Sequence, residues 1–258
     1  MDHHINPLAV HIQTIKRRLV VIGAAILVSL IVTFSFSGQM VAWLNRPFQN
    51  QLVFYGPTEA LFASIKVSLL AAVILSLPII FYQCWKFVEP ALLPKEQRWA
   101  IPLFFLAAGL FALGLVFCNL VILPLVIDFF VSFGLDRDVT PQLSVGTYID
   151  FNVKFLLIFG CAFELPLVMT LLAVTGAVSA QMFARYRKHA ILSNLILAAI
   201  ITPDATLFTM LLMAVPLMAL YEIGILGARL FGRSSAGGGI DLPVDPDLPI
   251  GTAGTRLR

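Results

Sequence analysis

Between Ala100 and Phe130 the chain runs for 31 residues with one charged side chain, Asp128. Further apolar runs lie at about 19–36, 64–85, 152–175, 190–201 and 207–226. Barrel strands would alternate in segments of ~10 residues, and these runs do not. Inside a bilayer a helix is the element that satisfies its backbone within one unbroken segment. The chain is 59% apolar and 12% charged, with a mean hydropathy of +0.94. A soluble domain of 258 residues has too little interior for that much apolar surface. Disorder needs the opposite composition. Three cysteines, Cys84, Cys118 and Cys161, exclude a disulfide scaffold. All three lie in apolar stretches and read as small buried hydrophobes. The expected fold is an all-α integral membrane protein.

The first run follows Lys16-Arg17-Arg18, and no small-x-small cleavage pattern succeeds it, so it reads as an uncleaved span. The run 100–130 would be roughly 46 Å long as a helix. That exceeds a ~30 Å hydrocarbon core, so it has to tilt, project, or bend, with Pro124 the natural place. The run 190–201 covers roughly 18 Å. It ends at Thr202-Pro203-Asp204, which makes helices five and six of the set short.

Charge sets the topology. Thirteen of the 17 Lys and Arg residues fall in four clusters: Lys16, Arg17, Arg18; Lys86, Lys95, Arg98; Arg185, Arg187, Lys188; and Arg229, Arg233, Arg256, Arg258. The intervening segments 37–63, 131–150 and 202–206 hold only Arg46 and Arg137. This positive-inside alternation gives six crossings with both termini in the cytoplasm. Residues 1–233 form the six-helix membrane domain. The stretch 234–258, rich in Gly, Pro and Asp, reads as a disordered cytoplasmic tail.

No nucleotide-binding loop, metal-ligand cluster or nucleophile–base pair is visible, so neither an enzyme nor a cofactor is expected, and nothing points to nucleic acid. His3, His4, His11 and His189 sit at cytoplasmic ends, where they read as solvated. Glu164 is different. It falls mid-span in Phe163-Glu164-Leu165-Pro166, where an ionised carboxylate costs about 2.5–3.5 kcal/mol. It is either a neutral packing group or a functional one that faces a water-filled cavity or is held by hydroxyl and amide donors. Lys66 and Lys154, near outer ends of spans, read as snorkelling. The loop after the second span carries Gln83, Trp85, Phe87, Glu89 and Glu96 among two stiffening prolines, Pro90 and Pro94. A carboxylate held there at headgroup level suits incoming arginines, or it pairs locally with Lys95 or Arg98.

At this loop the sequence resembles TatC, the receptor subunit of the twin-arginine protein translocase. The resembling pieces run in order over residues 7–231: Pro7-Leu8 with His11; Pro57-Thr58-Glu59 with Phe62 and Lys66; Pro78, Tyr82-Gln83, Trp85, Phe87, Pro90-Ala91-Leu92 and Glu96; Phe111, Gly114, Phe117 and Pro124; Tyr148, Phe159-Gly160 and Phe163-Glu164-Leu165-Pro166; Thr202-Pro203; Pro216 and Tyr221-Glu222. The resemblance implies a receptor in the inner membrane that binds the Arg-Arg pair of signal peptides on folded cargo. It implies recruitment of TatA- and TatB-type single-span subunits, assembly with further copies of itself, and transport driven by the proton-motive force. It maps the peptide-binding carboxylate onto Glu96, with Phe87 beside it, and the intramembrane acid onto Glu164.

The chain departs from that family in three places. Thr14 stands where the amino-terminal acid is expected, so either Glu96, helped by Glu89, holds both arginines, or the chain is a paralogue with altered specificity. Asn119 replaces an aromatic residue. The acid after Thr202-Pro203 corresponds to Asp204 or, aligned from Phe208, to Thr206. Two other classes compete. A proton-coupled small-solute transporter would use Glu164 as its titrating group, but no internal repeat supports it. A membrane scaffold that reads no peptide is kept open by Thr14.

Overall fold

The computed structural model of the chain describes residues 7–44, 53, 55–89, 100–135, 144–201 and 206–232. They form α1 (Pro7–Phe34), α2 (Ser37–Leu44), α3 (Glu59–Val88), α4 (Ala100–Phe117), α5 (Leu123–Leu135), α6 (Val145–Phe163), α7 (Leu165–Val174), α8 (Ala180–Arg185), α9 (Arg187–Ile201) and α10 (Leu207–Phe231). Five segments are long and apolar enough to cross a membrane: Gln13–Phe34, Glu59–Phe87, Ile101–Ser132, Val145–Val174 and Leu207–Phe231. With the short α9 they make the expected six-helix bundle. At 15 residues α9 covers roughly 22 Å. The last helix outruns its apolar stretch by five residues, to Phe231, through Gly227, Ala228, Arg229 and Leu230. Glu96, Asp204 and the tail 234–258 lie outside the described residues.

Prolines explain where the long helices break. A proline lacks an N–H and its ring crowds the carbonyl four residues back. Ahead of Pro124 the chain widens into one π-helical turn, Cys118–Ile122, in which the Leu123 N–H donates to the Cys118 carbonyl. That turn bends the run expected to be too long for the bilayer. Ahead of Pro166 the fourth span breaks at Glu164, whose N–H turns back to the Cys161 carbonyl at 3.1 Å.

Successive spans alternate in direction, and polar contacts fix their register. The Thr33 hydroxyl lies 2.9 Å from the Ser68 carbonyl, Ser76 donates to the Ser29 hydroxyl at 2.9 Å, and Arg18 meets Gln83, so α1 and α3 run antiparallel. Serine and threonine serve here because lipid offers no hydrophobic force between helices, which leaves close packing and hydrogen bonds. Gly114 lets α4 close on α6: a Cβ there would stand 2.6 Å from the Phe159 carbonyl oxygen. At the core Phe155, Phe159, Ile149, Ile122, Met213 and Leu217 are fully buried. The outward faces stay apolar and exposed, as with Leu27, Ile31, Phe105, Leu120 and Val215, the pattern of a lipid-facing surface.

Three expectations change. Cys118 alone of the cysteines is buried, whereas Cys84 and Cys161 are exposed, because they fall on helix faces that no described neighbour covers. Lys66 does not snorkel alone but forms an ion pair with Asp150 of α6. The sixth helix, expected to be short, runs for 25 residues, because Gly227, Ala228, Arg229 and Leu230 carry it past its apolar stretch; its Glu222 pairs with Arg187 at 2.9 Å. Both partners are largely exposed, and Tyr221 beside it donates to the Phe183 carbonyl at 2.9 Å.

Candidate functional site

Two groups of candidate residues lie toward the bundle end that carries Lys16, Arg17 and Arg18. The first is built where the start of α1 meets the last turns of α3. Helical spacing puts Thr14 and Arg18 on one face of α1, and Gln83 and Phe87 on one face of α3. The two faces meet. Arg18 Nη1 donates to the Gln83 carbonyl at 3.2 Å, and the guanidinium carbon stands 5.9 Å from the centroid of the Phe87 ring. On the same helix, Lys86 Nζ lies 5.7 Å from the Tyr82 ring. Phe87 is 47% exposed and Tyr82 53% exposed, so these aromatic surfaces stay reachable with a cation already on each.

The remaining predicted residues distribute around this patch. Glu89 caps the carboxyl end of α3, half-buried, with its N–H on the Trp85 carbonyl. It makes no ion pair with a described basic residue. Trp85 sits two residues from both Gln83 and Phe87, roughly 200° around the helix, and so faces elsewhere. Sequence reasoning counted Arg18 only as a topological charge. Its i+4 spacing from Thr14 was the signal that would have put it in the site.

The second group centres on Glu164, in the break between α6 and α7. The side chain is half-buried, and its Oε1 is fully buried with no hydrogen-bond partner among the described residues. Cys161 lies one helical turn before Glu164, at the end of α6. An orphaned carboxyl oxygen at this depth is expensive, and a donor from another helix would satisfy it. Toward the opposite end of the bundle, a cavity of about 610 Å³ opens between α2, α3, α4 and α6. Asn119, presented by the π-helical turn, lines it together with Gln39 and Trp43.

A third cluster was missed as a site. Glu59 accepts from Ser144 and from the Gly146 and Tyr55 N–H groups, at the end of the bundle away from Arg18. The Pro57-Thr58-Glu59 piece marked the position but not its partners.

Comparison with known proteins bears on the fold and the sequence as a whole. The family model for the Sec-independent protein translocase protein (TatC) matches residues 10–216. The TatC protein of Aquifex aeolicus is 37% identical over 233 residues, covering 88% of this chain and 96% of that protein. That of Desulforapulum autotrophicum is 38% identical over 234 residues, covering 88% and 86%. A crystal structure of the twin-arginine translocase receptor TatC superposes with a TM-score of 0.79 at 37% identity, covering 86% of this chain and all of that one.

Proposed function

The chain belongs to the TatC family, the receptor proteins of the twin-arginine, Sec-independent protein translocase, and on that premise we propose that it binds Arg-Arg signal peptides of folded cargo at the cytoplasmic face of the inner membrane. Both termini lie in the cytoplasm in this reading, as the positive-inside pattern requires. The observation that carries it is the meeting of Arg18, one turn after Thr14 on α1, with Gln83 and Phe87. It gathers residues far apart in sequence into one aromatic patch on the basic end of the bundle. Glu96, seven residues beyond Glu89 in sequence, supplies the carboxylate that grips the peptide guanidiniums. An arginine fork bonds a carboxylate through two parallel hydrogen bonds, which lysine's compact ammonium does not match. With Thr14 uncharged, the grip falls mainly on Glu96, with Glu89 as the nearer auxiliary charge.

Glu164 docks the transmembrane helix of a TatA- or TatB-type subunit, which donates to its orphaned oxygen. The chain acts as a receptor and assembly platform, and the proton-motive force drives transport. The test is peptide binding by the full chain in nanodiscs. Glu96→Gln keeps the shape but removes the charge, and it abolishes binding of an Arg-Arg signal peptide while leaving the weak binding of a Lys-Lys control unchanged. Wild-type affinity in that variant would refute the assignment.

A further inference from the structure

We propose that Arg18 is a resident guanidinium that occupies the peptide patch at rest, so that an arriving arginine must displace it from Phe87 or bind against its charge. The inference rests on the receptor reading above and adds to it a threshold built into the chain itself.

The contact is specific on both sides. Arg18 bonds the Gln83 carbonyl at 3.2 Å and stands 5.9 Å from the Phe87 centroid, so one side chain spans main chain and ring of the same helical turn. A peptide arginine that stacked on the other face of the ring would meet the positive charge of Arg18 across the thickness of one aromatic ring. It therefore displaces Arg18 or binds against its repulsion, and either route lowers the apparent affinity. A lysine is the weaker competitor, because its compact, strongly hydrated ammonium lacks the planar face that stacks. Arg18 thus penalises the wrong cation more heavily than the right one.

The uncharged Thr14 fits this arrangement. It lies one turn before Arg18 on the same face of α1, and α1 carries no acidic residue. A carboxylate at position 14 would pair with Arg18 at i+4 and draw the guanidinium back along its own helix. Without that acid, the α3 surface is where Arg18 settles.

The experiment measures binding of an Arg-Arg signal peptide and its Lys-Lys counterpart to the full chain in nanodiscs. Relative to wild type, Arg18→Gln should bind the Arg-Arg peptide about two- to fivefold more tightly, the size of one exposed cation–π contact. The Arg-Arg to Lys-Lys affinity ratio should narrow. In a Phe87→Leu background the same substitution should give no gain. Arg18→Lys keeps the charge but loses the fork, and it should give a smaller gain in the same direction, which covers the case of a misfolded glutamine variant. If wild type discriminates the two peptides but Arg18→Gln binds the Arg-Arg peptide equally or more weakly, Arg18 is not a competitor and the inference fails. If wild type does not discriminate them, the receptor reading fails first.

Discussion

Glu59 Oε1 accepts a hydrogen bond from the Gly146 backbone N–H at 2.7 Å, tying the first turn of α3 to the first turn of α6. Ser144 donates to the same oxygen, and the Tyr55 N–H reaches Oε2 at 2.8 Å. One carboxylate thus satisfies backbone donors from two separate segments, and Val53 and Ser144 meet beside it in an isolated parallel bridge. The site has no room for a methyl group, since a Cβ on Gly146 would lie 2.6 Å from Glu59 Cγ. Gly146→Ala and Glu59→Ala should each destabilise the detergent-solubilised chain by about 1–3 kcal/mol. Thermal melts of the two variants check this. A Gly146→Ala chain that melts with wild type would contradict the clamp.

The α1–α3 pairing makes a smaller and different prediction. Only a thin stripe of α1 is buried, so its polar contacts matter more than its packing. Thr33→Val removes the hydroxyl at the Ser68 carbonyl, and Ser76→Ala removes the donor to Ser29. Each should cost about 0.6 kcal/mol, because hydrogen bonds between membrane helices average no more than that. The double variant should depart from additivity, since the Thr33 hydroxyl also lies 2.9 Å from the carbonyl of Ser29, the residue that accepts from Ser76. A loss of several kcal/mol from either single change would mean that α1 is held mainly by these two contacts.

The spans were legible because bilayer physics leaves few choices: an apolar run must be a helix, and arginine and lysine choose its side. The breaks were legible in part. Pro124 marked a bend in advance, but the π-helical turn ahead of it depends on how five backbone bonds share the missing donor. The second break, at Glu164, carried its own cue in Pro166. Short α2 was invisible, because an eight-residue helix between a span and a loop has too few turns to show a period. Among the proposed site residues, Phe87 and Gln83 stood out through a recognised pattern, and Thr14 through its departure from it. Arg18 and the partners of Glu59 were missed. Gln83 lies 65 positions from Arg18, and Ser144 and Gly146 lie more than 80 from Glu59, so local spacing offered no more than the i+4 step from Thr14 to Arg18.

Glu164 should show opposite effects on stability and on assembly. Glu164→Leu removes a buried oxygen that has no partner among the described residues. The isolated chain should gain about 1–3 kcal/mol in stability, the cost of an unpaired buried polar group. The same variant should lose crosslinking to TatA- or TatB-type helices and lose export of folded cargo. Glu164→Gln, which still accepts a hydrogen bond, should keep part of both. Unchanged crosslinking and export in Glu164→Leu would contradict the docking role.

Thr14→Glu supplies the absent acid and gives Arg18 a partner on its own helix. Both effects favour the peptide, so affinity for an Arg-Arg signal peptide should rise about fivefold or more, on the order of a charge-assisted hydrogen bond in a partly exposed site. The gain should shrink as salt is raised, because exposed charges are screened within ~10 Å at 0.1 M. Fluorescence anisotropy at two ionic strengths measures both. An affinity that falls or stays level would show that position 14 lies outside the peptide's reach.

The most direct measurement is site-specific photocrosslinking from positions 87 and 96 of the full chain to a signal peptide bearing the Arg-Arg pair. Both positions should capture the peptide, and excess unlabelled Arg-Arg peptide should compete the adduct away while a Lys-Lys peptide does not. Capture that is absent at both positions, or equally sensitive to the two competitors, would contradict recognition of paired arginines by this chain.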